Sequence, residues 1–140
     1  MAELREVFPV AADDFVTAGE ASGQIKRILK KLGVSSGIVR RISIASYEAE
    51  INLVIHSDGG QMELVVDEDE IKLLVTDVGP GIPDIEKAMD EGYSTASDNA
   101  RMMGFGAGMG LSNMARNADV FNIESKAGTG TKIQMIFTMQ

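Results

Sequence analysis

The sequence predicts an α+β fold, a layered sandwich of helices on a sheet. Three observations carry that expectation. Helix-periodic segments come early, strand-like runs come late, and short turn signals join neighbouring strands as hairpins. A length of 140 residues with 44% hydrophobic and 24% charged residues suits one globular domain, 1–140.

Taken in order, Arg5–Val10 reads as a short strand. Phe15, Ala18, Ile25, Ile28, Leu29 and Leu32 keep helical spacing within Ala11–Leu32, and Gly33 supplies a stop. Ser35 or Ser36 caps a second helix that runs to about His56 and closes at Asp58-Gly59-Gly60. Met62–Val66 and Ile71–Val75 are strands joined by Asp67-Glu68-Asp69-Glu70, an acidic run read as a solvated hairpin tip in preference to a metal site. After the turn Gly79-Pro80-Gly81-Ile82-Pro83, Asp84–Met89 forms a short helix. Tyr93–Gly108 is a polar, glycine-rich connection, long enough to suggest a functional loop. A third helix over Leu111–Asn117, a strand over Val120–Ser125, a turn at Ala127-Gly128-Thr129-Gly130 and a last strand over Thr131–Thr138 complete the chain.

Composition excludes several function classes. With 13 Lys plus Arg against 21 Asp plus Glu, the net charge of −8 argues against non-specific nucleic-acid binding. No apolar run approaches a membrane span, Met1–Val10 lacks the pattern of a signal peptide, and a cytoplasmic location is expected. The absence of cysteine removes disulfides, thiol nucleophiles and cysteine-based zinc sites. Lys26, Arg27, Lys30 and Lys31 on the first helix form either a solvated face or a docking patch for an acidic partner.

Projected at about 100° per residue, the second helix places Glu48 and Asn52 one turn apart within an arc of Ile38, Ile42, Ile44, Ala45, Ala49, Ile51, Leu53 and Ile55. Glu50 projects nearly opposite, among Ser43, Ser46 and Ser57, and is expected to be a solvated surface charge. A carboxylate set against the protein body needs partners, so Glu48 and Asn52 line either a polar cavity or a helix-end network. His56 continues the row and reads as a structural residue rather than a ligand.

Three glycine clusters follow. Asp77-Val78-Gly79-Pro80-Gly81 puts a carboxylate at a strand end, with glycines that let backbone approach a flat ligand. Gly104-Phe105-Gly106-Ala107-Gly108-Met109-Gly110-Leu111 runs into a helix N-terminus, whose unpaired N–H donors suit phosphate. It is neither a P-loop, lacking Gly-Lys-Ser/Thr, nor a Rossmann fingerprint, lacking a preceding strand. Gly128-Thr129-Gly130-Thr131 enters the last strand and by itself reads as a hairpin turn.

In this order Glu48-Ala49-Glu50-Ile51-Asn52 and the three glycine clusters resemble the four boxes of the GHKL, or Bergerat-fold, ATP-binding domains, over about Phe15 to Met139. The resemblance implies a mixed, mostly antiparallel sheet with helices on one face and ATP beneath a glycine-rich lid. The small size, the Glu-x-x-x-Asn box with His56 four residues on, and Gly79–Lys87 through Gly92-Tyr93-Ser94-Thr95 are similar to the bacterial anti-sigma-factor and switch serine/threonine kinases. Those enzymes phosphorylate STAS-domain regulators.

Carried over by that resemblance, Asn52 ligates Mg²⁺ and Asp77 accepts the adenine amine. Gly79 and Gly81 admit the base, while Thr131 supports the adenine end. Gly106, Gly108 and Gly110, with Leu111 starting the helix, hold the phosphates. Glu48 is the base that takes the hydroxyl proton. The segment Ala96–Met103, with Arg101, Met102 and Met103 at its end, makes the lid longer than expected for a switch kinase, and Arg101 reads either as a phosphate contact or as a solvated lid charge.

The function expected is an ATP- and Mg²⁺-dependent kinase acting on a STAS-domain partner. A sigma factor or a phosphatase is a further partner by the same resemblance, and homodimerisation is compatible with it. The alternative is a nucleotide-gated module that sequesters a regulator with little catalysis.

Overall fold

The computed structural model describes residues 3–12, 14, 16–56, 59–78, 110–126 and 130–139. Its elements are β1 (Leu4–Val10), α1 (Glu20–Lys31), α2 (Ser36–His56), β2 (Gly60–Val66), β3 (Glu70–Asp77), α3 (Gly110–Asn117), β4 (Val120–Lys126) and β5 (Gly130–Thr138). The expected helix at 84–89, the connection at 93–108 with its insertion, Arg101, and the side chain of His56 lie outside the described residues.

Five strands form a sheet in the order β1-β2-β3-β5-β4. All four described pairings are antiparallel. Period-2 alternation sends Met62, Leu64 and Val66, then Ile71, Leu73 and Val75, then Ile133, Met135 and Phe137, to one face. There they share a core with Ala21, Ile25 and Leu29 of α1, Ile42, Ala45, Ala49 and Leu53 of α2, and Leu111 and Met114 of α3. The helix residues repeat every three or four positions, the spacing that keeps an apolar stripe on one side. The α+β sandwich expected from the sequence is therefore the architecture observed.

The β2–β3 turn is built by Asp67, whose Oδ1 accepts the backbone N–H of Asp69 at 2.8 Å and of Glu70 at 2.9 Å. Those two donors hold its carboxyl below the ordinary carboxylate value. Helix α1 starts later than its periodicity suggests, at Glu20, because Gly19 turns left-handed (φ 98°) and breaks the run. Lys26, Arg27, Lys30 and Lys31 are all exposed on its outer side.

A polar clamp fixes the far end of α3. Arg41 of α2 donates from Nε to the Asn117 carbonyl at 2.8 Å and from Nη2 to Asp119 Oδ1 at 3.0 Å. Its guanidinium also stands over the Phe137 ring, 5.9 Å from the centroid. Asp119 Oδ2 accepts the Thr138 N–H at 2.7 Å. That backbone donor first, and the Arg41 guanidinium after it, hold the Asp119 carboxyl below its ordinary value. Helices α2 and α3 are thereby pinned to each other and to β5.

Candidate functional site

Helix α2 presents Glu48 and Asn52, both half-buried, toward the first residue of α3. A β-carbon at Gly110 would stand 3.2 Å from both Asn52 Oδ1 and Glu48 Oε2, and 3.5 Å from Asn52 Nδ2. Glycine leaves room for the helix to start this close to the pair without displacing either side chain, so the N–H groups of its first turn lie near an amide and a carboxylate. Burial pushes the Glu48 carboxyl above its ordinary value, and a side-chain hydrogen bond from Asn113, one turn into α3, partly offsets the rise. Leu111 begins the buried face of α3 and seats the helix on the core.

A second group forms where β3 ends beside the start of β5. The backbone N–H of Thr131 donates to Asp77 Oδ1 at 2.7 Å, and Thr131 Oγ1 lies 3.0 Å from Ser125 Oγ. Gly130 (φ 140°) lies so near that a β-carbon there would collide with the Asp77 backbone carbonyl and stand 2.9 Å from Asp77 Oδ1. Gly130→Ala is expected to lose about 2 kcal/mol of stability, from left-handed strain and the backbone collision. Urea unfolding checks this, and a change of only a few tenths would contradict the tight approach.

One backbone link runs between the two groups. Gly60 is register partner to Asp77, and a β-carbon on Gly60 would lie 3.0 Å from Leu53 Cδ2, the residue after Asn52. The structure thus sets Glu48 and Asn52 against Gly110, with Leu111 next on the same helix, and sets Asp77 against Thr131 in a separate group. Gly79, Gly81, Gly106 and Gly108 lie outside the described residues.

One expectation is corrected. Glu50 is not a solvated surface charge: it is 2% exposed, and its carboxylate accepts the backbone N–H groups of Ala21 at 3.1 Å and Ser22 at 2.9 Å. Projection by hydropathy found only the apolar arc of α2. The helix has a second buried stripe, Val39, Ser46, Glu50 and Val54, on the side where Glu50 meets α1. Glu50 supplies the cap that Gly19 cannot, since α1 has no side-chain cap of its own. Asn113, which the sequence reading did not single out, influences the Glu48 carboxyl from α3. It stands three residues after Gly110, on the same face of α3.

The model of the family described as Histidine kinase-, DNA gyrase B-, and HSP90-like ATPase matches residues 20–140. The chain belongs to this family. ATP use is a property of the family, and the GHKL resemblance drawn from the four boxes is thereby established. The chain is 36% identical over 115 residues to the serine/threonine-protein kinase RsbT of Bacillus subtilis (strain 168), covering 79% of this chain and 80% of that protein. It is also 36% identical over 99 residues to the anti-sigma F factor of Clostridium acetobutylicum, covering 67% of this chain and 66% of that protein. The anti-sigma F factor of Pasteuria penetrans is 35% identical over 100 residues, covering 66% of this chain and 63% of that protein. Among the described residues no helix is long and apolar enough to cross a membrane.

The group around Gly110 has the chemistry that the family's nucleotide requires. The Asn52 amide offers a hard oxygen donor of the kind Mg²⁺ accepts, and it stands at a glycine-started helix N-terminus suited to phosphate.

Proposed function

We propose that this chain is an ATP- and Mg²⁺-dependent protein serine/threonine kinase of a bacterial partner-switching system. Its substrate is a serine or threonine of a STAS-domain regulator, and it works in the cytoplasm as a single domain, 1–140. The observation that carries this reading is the convergence of Glu48 and Asn52 on the first residue of α3.

When bound, ATP would supply the phosphoryl group and Mg²⁺ would offset its charge. The remaining work falls to side chains and backbone of this chain. Asn52 would hold the metal through its amide oxygen. Gly110, with Gly106 and Gly108 before it and Leu111 seating the helix, lets backbone N–H groups approach the phosphates. Asp77 accepts the adenine amine, Gly79 and Gly81 let the base lie close, and Thr131 steadies Asp77 through its N–H. Glu48 takes the proton of the attacking hydroxyl, and partial burial brings its basicity nearer the working pH. Phosphoryl transfer needs positioning and charge compensation more than a covalent nucleophile, so this short set of residues suffices.

The similarity to anti-sigma F factors supports a second role, nucleotide-dependent capture of a sigma factor or other regulator. Capture assays in ATP, ADP and no nucleotide separate the two: a pure sequestering module holds its partner without phosphorylating it.

The site itself is tested by thermal stability under ATP and ADP titration, with and without Mg²⁺, on wild type, Asp77→Asn and Asn52→Ala. At about a hundred times Kd a ligand adds about 2.7 kcal/mol to the folded state. Wild type is expected to show that gain, Asp77→Asn to lose it, and Asn52→Ala to lose its Mg²⁺-dependent part. No stabilisation at millimolar nucleotide would overturn the reading.

A further inference from the structure

Helix α1 carries positive charge that no other described residue offsets. Lys26, Arg27, Lys30 and Lys31 are all exposed, outside the stripe of Ala21, Ser22, Ile25 and Leu29 that packs inward. Along the helix they stand against one another. Lys26 and Lys30, like Arg27 and Lys31, are four residues apart, and Arg27 and Lys30 are three apart. Like charges at those spacings destabilise a helix. The positions three and four before Lys26 and Arg27 hold Ser22, Gly23 and Gln24, so no carboxylate of α1 faces either cation. Glu20, the one acid of α1, has Gly23 and Gln24 within its own reach. Among the described residues the ion pairs engage Arg5, Arg41 and Lys72, and none engages a cation of α1. The helix dipole favours Lys30 and Lys31 in the last turn, but it falls off before Lys26 and Arg27.

Gly23 adds an independent observation. It lies inside α1 and is not among the glycines with positive φ, so other residues could adopt its backbone. Among the described residues a β-carbon there would meet Arg27 Nη1 alone, at 3.7 Å, an ordinary contact. Neither turn geometry nor packing calls for glycine, which weakens a helix interior relative to alanine. Its effect is to leave the Arg27 guanidinium lying along the helix with bare backbone beside it. A planar fork placed in this way suits a carboxylate, which it binds through two parallel N–H bonds. Leu32, 49% exposed directly after Lys31, adds an apolar contact at the end of the cationic row.

We propose that the outer face of α1 docks an acidic protein. The Arg27 fork and the ammonium groups of Lys26, Lys30 and Lys31 take its carboxylates, and Leu32 takes an apolar side chain. Charge complementarity selects this occupant. Screening confines attraction between exposed charges to about 8 Å at physiological salt, so a compact acidic patch feels these cations and not more distant carboxylates. A nucleic-acid duplex extends beyond residues 26–32 and meets a chain whose net charge is −8. A lipid surface needs an apolar face that enters it, whereas α1 offers one exposed leucine beside its cations. None of these side chains belongs to the groups around Gly110 or Asp77, so docking here stands apart from the reading of Glu48 as a base.

The probe is a synthetic peptide of glutamates spaced around one leucine, compared with its glutamine analogue, a short DNA duplex and vesicles of phosphatidylglycerol in phosphatidylcholine. Fluorescence anisotropy reads peptide and DNA binding to the full chain, co-sedimentation reads the vesicles, and amide shifts locate the contact. The glutamate peptide is expected to bind about tenfold or more tightly than its analogue at low salt, with shifts centred on α1 and Leu32. Arg27→Glu combined with Lys30→Glu, matched to wild type in fold by amide spectra, should abolish that preference. Gly23→Ala should raise the melting temperature and keep binding within about twofold. Gly23→Glu sets a carboxylate four residues before Arg27, occupies the guanidinium and should weaken peptide binding about fivefold. Equal affinity for the two peptides or shifts centred away from α1 would overturn the inference. So would a Gly23→Glu variant that binds as tightly as Gly23→Ala, or DNA or vesicles bound more tightly than the glutamate peptide.

Discussion

Glu48→Gln is expected to lower phosphoryl transfer by about 10²- to 10⁴-fold, the usual contribution of a positioned general base, while ATP affinity stays within a few-fold of wild type. The same substitution should raise the melting temperature at neutral pH. The sign follows from linkage. A carboxyl whose folded pKa lies above its ordinary value of 4.5 binds more protons folded than unfolded between those two values. Stability therefore falls as pH rises through that window, and the cost is fully present above the folded pKa. Glutamine carries no such cost, so its stability should be flat across the window where wild type declines. Phosphorylation of a STAS-domain partner and calorimetry between pH 4 and pH 8 check the two halves. Full transfer by the variant would remove Glu48 from the chemistry, whereas a destabilised variant would mean that the carboxylate is a structural anchor.

Loss of activity with gain of stability also separates Glu48 from its neighbour two residues on, a separation the sequence showed only in part. Amphipathic periodicity placed Glu48 and Asn52 toward the protein body, because both fall inside the apolar arc of α2. The three glycine clusters were legible because glycines beside a strand end and a helix start report close backbone approach. Two of those approaches are seen directly: Gly110 against Glu48 and Asn52, and Gly130 against Asp77. Strand bounds were recovered to within a residue or two, since hydrophobic alternation follows the buried face of a single sheet. The start of α1 was missed because apolar spacing continues through a segment that Gly19 turns left-handed. Glu50 was misplaced for a deeper reason. A helix covered by both a sheet and another helix has two buried sides, and hydropathy marks only the side filled with aliphatic groups. The side facing a helix N-terminus is buried by a charge, which a projection reads as solvent.

Glu50→Ala is accordingly expected to destabilise the fold by about 3 kcal/mol, the sum of a lost helix cap and two buried N–H groups without acceptors. For a chain of this size that corresponds to a fall of about 10 °C in melting temperature. Two effects oppose each other here. Taking a carboxylate out of water is costly, and at 2% exposure almost none of its hydration survives. Against that stand charge-assisted bonds of 3.1 and 2.9 Å from Ala21 and Ser22, and the positive end of the α1 dipole directly before the carboxylate. Gly19 offers no side chain to take over those donors, so the bonds decide the balance. Glu50→Gln, which keeps one oxygen acceptor and the shape, should lose about half as much, and Glu50→Leu should match alanine despite filling the space. Urea unfolding of the three variants orders them. A leucine variant as stable as wild type would mean that burial of the charge outweighs its bonds, and that α1 is held by its apolar stripe of Ala21, Ile25 and Leu29 alone. If the expected order holds, the α2 segment that carries Glu48 and Asn52 is also the anchor of α1. Loosening Glu50 should then weaken Mg²⁺-dependent nucleotide binding in proportion to the lost stability, even though its carboxylate is turned toward α1.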